Sequence, residues 1–267
     1  QFRRLELSPV ELMVSLLARA NSLESRLRVW VTLDGDSALT AARRSREEMI
    51  QRGPRGPLHG IPIGVKDIYY THGIKTTAGS PIYADFVPTY DATTVALLKR
   101  AGAIIMGKTV TTEFASTDPP PTRNPWHRAH TPGGSSSGSA VGVAARVFPA
   151  ALGTQTGGSV LRPAAYNGVV GLKPTFGLIS TYGVMPLAQS LDTVGFFTRT
   201  VADAAIVLAA LAGHDPKDSS SVPRAVPDYL TALGSYRSPP RIGLARQFFY
   251  ERADREVRTH MKDVARR

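Results

Sequence analysis

The 267-residue sequence contains no cysteine. Disulfides, thiolate nucleophiles and cysteine-ligated zinc are therefore excluded, and the composition suits a reducing compartment. No apolar run approaches the length of a membrane span, and the opening QFRRLELSPVE does not read as a signal peptide. A cytoplasmic location is expected, with no membrane partner. No serine has a lysine three residues later, which removes the S-x-x-K pattern of penicillin-binding-type sites. Gly107-Lys108-Thr109 lacks the upstream glycine that a phosphate-binding P-loop needs. No internal repeat is visible, and no histidine stands in a triad-like context.

Arginine is plentiful, and the formal net charge is +11. Arg43, Arg44, Arg46, Arg252, Arg255 and Arg258 are interleaved with Glu47, Glu48, Glu251 and Glu256, the pattern of solvated helix faces. No basic stretch with interleaved aromatics stands out, so no nucleic-acid partner is expected. Hydrophobic residues make up 42%, enough for one large α/β domain or two small ones.

Taken in order, Ser8-Pro9-Val10-Glu11 is a capping box with proline at the first helical position, and it predicts a helix to about Asn21. VWVTL (29–33) reads as a strand and Ser37–Gln51 as a polar helix. IPIGVKDI (61–68) is a short apolar strand interrupted by Lys66, and a lysine in such a run is more often an edge residue that snorkels. Asp67 is adjacent, but strand neighbours face opposite ways and it need not pair with Lys66. Asp91 can cap a helix to Arg100, with a buried strand following over 101–107. Glu113 reads as a site-edge carboxylate or as a first-turn helix charge. Residues 116–132 are proline-rich loop, and His127 and His130 within it lack a third ligand, so no metal is expected. A structured loop is expected over Ser180–Thr200. A Thr200-capped helix should run to about Ala212, HDPKDSSSVPRAVP reads as a surface linker, RIGLA (241–245) as a strand, and a last helix should begin near Asp254.

The stretch from Thr131 to Pro174 organises the chain. Two small-residue clusters, Gly133–Ser139 and Thr154–Ser159, flank the apolar run AVGVAARVFPAAL, which is long enough for a short helix and a short strand. Gly-Gly-Ser corners can aim a hydroxyl and several N–H groups at one point, as acyl transfer requires. A flexible linker fits poorly, because the interrupting residues are apolar. Gly134-Ser135-Ser136-Ser137-Gly138 also matches the G-x-S-x-G nucleophile elbow, but that turn needs an apolar strand before it and here a loop precedes it.

GGSSSGSA followed by GTQTGGSVLRP resembles the signature of the amidase signature family of serine hydrolases. IPIGVKDI, GKTVTTEFA (107–115), TRNPW (122–126), SLDTVG (190–195) and TVADAA (200–205) extend the similarity from about Ser8 to about Gly213. The resemblance implies an α/β fold with a central mixed β-sheet covered by α-helices on both faces. Residues 1–267 would form the N-terminal, catalytic portion of that domain, with its C-terminal remainder absent. It also implies Ser159 as nucleophile, Ser135 as proton relay and Lys66 as base, with a cis peptide before Ser135. The backbone N–H groups of Thr156, Gly157, Gly158 and Ser159 would hold the oxyanion, at the start of a helix. The two serines are 24 residues apart, which agrees with the family spacing.

The implied function is hydrolysis of a carboxylic amide to acid plus ammonia or amine through a seryl acyl-enzyme. The implied partner is a small-molecule amide; no cofactor is needed, and a homodimer is compatible with the reading. One departure stands out. Gln155 and Leu161 occupy positions where many members carry an Asp and an Arg, and Arg162 stands one residue further on. The paired loss suggests that a neutral amide replaces an ion pair, so restoring Asp alone at 155 would leave an unpaired charge. It also disfavours identity with the amidotransferase members of the family. A non-catalytic binding or assembly protein is the remaining alternative.

Overall fold

The computed structural model describes residues 1–4, 6–235, 238–239, 241–244 and 247–266. The chain divides into a body, Gln1–Leu233, and a smaller unit, Gly234–Arg267.

Within the body, Ser8 and Glu11 form the expected capping box for helix α1, Pro9–Leu27. That helix runs a turn and a half beyond the predicted end. Ala20 and Leu27 continue its buried face, and Arg28 in the left-handed region stops it. The Glu24 carboxylate then accepts from Val29 N and Trp30 N, turning the chain directly into strand β1, Trp30–Leu33. Helix α2 covers Gly35–Arg52 and strand β2 covers Pro62–Lys66. Helix α3, Thr93–Arg100, has no side-chain cap. Asp91 instead accepts from His72 N and pairs with Lys99, tying a loop to the helix it was expected to start. Strand β3 follows at Ile104–Thr109, shifted a few residues from its predicted place.

The apolar run between the serine clusters forms helix α4, Ser137–Ala144, and strand β4, Ala150–Gln155. Helix α5 (Leu161–Asn167) and strand β5 (Val170–Leu172) follow. The expected loop over 180–200 is only half right, because Thr193–Thr198 is a fully buried strand, β6. TVGFFT has no polar alternation, since both of its faces are covered, and so it gave no period-two signal. Helix α6, Val201–Leu211, is capped by Thr200 as expected.

The linker after α6 is less free than its composition suggests. Asp215 accepts from Thr93 Oγ1 and Ser180 Oγ, both at 2.6 Å, and Asp218 accepts from Thr181 N and Oγ1. Helix α7 is Tyr229–Ser235. The smaller unit contains α8 (Phe249–Arg252) and α9 (Arg255–Arg266), the latter starting where expected. Residues 241–244 form no strand, and Ala245 lies outside the described residues.

The six strands pair in the order β1-β3-β2-β4-β6-β5. β2 runs parallel to β3 and to β4, whereas the β1–β3, β4–β6 and β5–β6 pairs are antiparallel. The expected mixed sheet is therefore present. Side-chain alternation splits the core into two layers. Ile63, Val65, Ile105, Leu152 and Phe196 pack on one face with Val95 and Leu98 of α3 and Leu208 of α6. Ile104, Met106, Ala151 and Phe197 pack on the other with Met13 of α1, Ala42 of α2, Val143 of α4 and Ala164 of α5. The carboxyl ends of the parallel strands β2 and β4 lie side by side between these layers, a position where α/β sheets gather ligands and chemistry.

Candidate active site

Lys66 is the last residue of β2 and is fully buried. Its Nζ donates to Ser135 Oγ at 2.7 Å and to Thr154 Oγ1 at 2.8 Å. Burial pushes the amine from its ordinary 10.5 down to about 7, while the Asp192 carboxylate acts in the opposite sense. The lysine is thus neither a snorkelling edge residue nor a partner of Asp67. Asp67 stands 3.5 Å from the second buried lysine, Lys108, and accepts from Thr77 N and Oγ1. Lys108 also donates to Tyr69 O and Thr76 Oγ1, and burial pushes it down to about 8. By sequence Lys108 reads only as a failed P-loop residue. Its signal is a lysine preceded by six apolar or small residues, 102–107.

Ser135 follows a cis peptide bond from Gly134, as the resemblance implied. The preceding Gly133 has φ of 73°, and a Cβ there would lie 2.9 Å from Pro163 Cα. The loop therefore lies directly against α5, which glycine alone allows. The other serines of the cluster are committed elsewhere. Ser136 Oγ donates to Thr154 O and accepts from Thr154 N, Ser137 Oγ donates to Val110 O, and Ser139 Oγ donates to Leu152 O. Ser136, the serine that the elbow pattern would select, is fully buried and locked to the β4 backbone.

Ser159 lies just before α5 and is 7% exposed. Its carbonyl accepts from Ser136 N at 3.4 Å, but its hydroxyl makes no hydrogen bond among the described residues. Lys66 and Ser135 are brought together; Ser135 and Ser159 are held on neighbouring segments without a hydroxyl-to-hydroxyl bond. The N–H groups of Thr156, Gly157, Gly158 and Ser159 likewise donate no hydrogen bond among the described residues. A Cβ at Gly157 would meet nothing within 4 Å, so these donors face open space.

Gln155 occupies the position where the sequence departs from its family, and its amide oxygen accepts from Val160 N and Leu161 N at 2.9 Å each. It caps α5 in place of an ion pair. The expected cost of an unpaired charge at 155 therefore changes, because two backbone donors would meet any acceptor that could reach them. Arg162 donates through Nε and Nη2 to Gly134 O at 3.2 and 2.9 Å.

Beside this cluster is a cavity of about 230 Å³ whose wall includes Ile68, Thr154, Thr156, Tyr182, Met185 and Asp192. Ser135 and Ser159 are not on that wall. Asp192 accepts from Thr156 Oγ1 and from Leu187 N and Ala188 N, so the SLDTVG turn is tied to the residues that precede Ser159. Glu113 opens a short 3₁₀ turn, the plainer of its two readings. The His127 and His130 rings meet edge to face at 4.4 Å in an exposed loop. No described helix is long and apolar enough to cross a membrane.

A mixed α/β sheet with this Lys–Ser contact at the ends of its parallel strands defines a serine-centred, amidase-type scaffold. The Amidase family model matches residues 11–267, and the chain belongs to that family. It is 47% identical over 265 residues to a subunit of the glutamyl-tRNA(Gln) amidotransferase from Geobacter sp. strain M21, covering 97% of this chain and 54% of that protein. The native peptide amidase from Stenotrophomonas maltophilia superposes with a TM-score of 0.82 at 44% identity, over 85% of this chain and 50% of that one. The corresponding amidotransferase subunit from Thermotoga maritima gives 0.71 at 35% identity, over 85% and 50%. The chain spans about half the length of the curated relatives it matches. The departures at Gln155 and Leu161 do not set it apart from proteins carrying the amidotransferase name.

Proposed function

We propose that the chain carries the acyl-transfer centre of an amide-cleaving enzyme. Ser159 Oγ attacks the amide carbon, its proton passes to Ser135 Oγ, and the Ser135 proton passes to Lys66 Nζ. The developing oxyanion is held by the N–H groups of Thr156, Gly157, Gly158 and Ser159; losing one such donor costs about 100- to 1,000-fold in rate. Collapse breaks the C–N bond, and the amine leaves with the proton returned through Ser135. Water then attacks the ester, giving up its proton by the same route and freeing Ser159. The net reaction is amide plus water to acid plus ammonia or amine.

The observation that carries this reading is the buried Lys66–Ser135 contact. A lysine whose proton leaves near pH 7 can serve as a base at neutral pH, and the 2.7 Å contact then runs the other way, with the hydroxyl donating. The unused N–H groups from Thr156 to Ser159 support the oxyanion role. The proposed partner is a small-molecule amide, and the cysteine-free composition favours the cytoplasm.

The curated relatives favour a second reading, in which the released ammonia is handed to a glutamyl-tRNA acceptor rather than lost. Both readings share the acyl-enzyme. Ammonia or amine release from aliphatic, aryl and peptide-terminal amides tests the first. Release by the unmodified chain and none by Ser159→Ala is expected; equal release by both would overturn it. Turnover of glutamine only when glutamyl-tRNA is supplied would favour the second reading.

A further inference from the structure

We propose that Arg162 is a positioning residue of this centre, holding the segments that bear Ser135 and Ser159 at the separation their proton transfer requires. The inference rests on the acyl-transfer reading above and adds to it a residue whose side chain touches neither hydroxyl.

Arg162 lies on the first turn of α5, three residues after Ser159. Its guanidinium reaches across to the other serine-bearing segment and places two N–H groups on one oxygen, Gly134 O. The peptide unit is planar, so Gly134 O, Ser135 N and Ser135 Cα share one plane. A fork that fixes the oxygen therefore fixes the direction from which the Ser135 side chain departs. Two further ties hold the same segments together: Asn167 Nδ2 donates to Pro132 O and to Pro163 O at 2.7 Å, and Ser136 N donates to Ser159 O. The Asn167 tie is buried, and the Ser136 tie is between main-chain atoms. Arg162 is exposed and has no carboxylate partner among the described residues, so its guanidinium is not held by an ion pair.

The geometry on the two sides of Ser135 explains why such a clamp matters. Toward Lys66 the contact is already made at 2.7 Å. Toward Ser159 no hydroxyl bond exists in the resting site, so the backbone separation alone decides how readily one forms. A lysine at 162 would supply a point charge on a flexible stem and could not reproduce the two-pronged restraint.

The test is the labelling of Ser159 by a fluorophosphonate probe, measured in the unmodified chain, Arg162→Ala and Arg162→Lys over a range of probe concentrations and pH. Arg162→Ala should lower the maximal labelling rate by about 10- to 100-fold, the scale of a small misplacement of reacting groups. Probe affinity and thermal midpoint should change little, and the pH midpoint set by Lys66 should stay in place. Arg162→Lys should recover only a small part of the rate. Added guanidinium ion should restore part of it in Arg162→Ala and none in Ser135→Ala. Labelling of Arg162→Ala at the unmodified rate would overturn the inference, as would a loss confined to probe affinity or matched by a fall in thermal midpoint. A loss of turnover confined to carboxylate-bearing amides would overturn it too, since that marks a substrate contact. Absence of any label on Ser159 in the unmodified chain would instead overturn the acyl-transfer reading, and the inference with it.

Discussion

Lys66 and Ser135 are 69 residues apart in sequence and 2.7 Å apart from amine to hydroxyl. The contact forms where β2 ends and the glycine-rich turn before α4 begins. Nothing in the body offers the amine water, and burial makes it a far weaker base than an exposed lysine.

Acylation should depend on pH with the sign of a base. Protonated Lys66 has no lone pair to receive the Ser135 proton, so the rate should rise through about pH 7 and then level off. Labelling or turnover measured from about pH 5 to 9 checks this, the window following from the general-base argument. A flat profile contradicts it.

Stability should respond to the same lysine. Its folded value of about 7 lies below the ordinary 10.5, and Lys108 at about 8 lies below it as well. Between the folded and ordinary values the unfolded chain binds more protons than the folded one, so stability should rise with pH across that window. Below about 7 this contribution is flat. Lys66→Met should make the slope shallower and raise stability near neutral pH by roughly 1–4 kcal/mol, as replacement of buried charge by apolar volume often does. Denaturant melts at neutral and alkaline pH read both effects, and a less stable variant at neutral pH contradicts the prediction.

The Asp67–Lys108 pair should behave in the opposite way when it is halved. Lys108→Met leaves the Asp67 carboxyl buried without its cation, at a cost of about 3–5 kcal/mol. Adding Asp67→Asn should recover much of that loss. A double-mutant cycle by denaturation measures the coupling, and additive losses would contradict it.

Gln155 should matter through its oxygen. Gln155→Leu removes the acceptor for Val160 N and Leu161 N and should cost about 1–3 kcal/mol, the scale of buried donors left unmatched. Gln155→Glu keeps the reach and places a carboxylate at the same donors, so it should lose less. Thermal melts of the two variants decide the order.

Much of this architecture was legible in the sequence because local chemistry wrote it there. The Ser8–Glu11 box, the Thr200 cap and the apolar run of β4 needed no tertiary information. Elements fixed by distant partners were read less well. β6 hid inside an expected loop because both faces of TVGFFT are covered, and Asp91 gave up a cap that its type favours to hold His72 N and Lys99. Asp215 and Asp218 read as linker, yet they bind Thr93, Ser180 and Thr181 across the fold. At the site, Lys66, Ser135 and Ser159 could be named from their motifs. The roles of Gln155 and Arg162 could not, because their acceptors and donors are backbone atoms that no side-chain pattern records.

Identification of the modified residue after fluorophosphonate treatment, by mass spectrometry of the digested chain, tests the central claim most directly. The account predicts the adduct on Ser159, and its loss in Lys66→Met and Ser135→Ala. An adduct on Ser136 or another hydroxyl, or undiminished labelling of Ser159 in Lys66→Met, would contradict it.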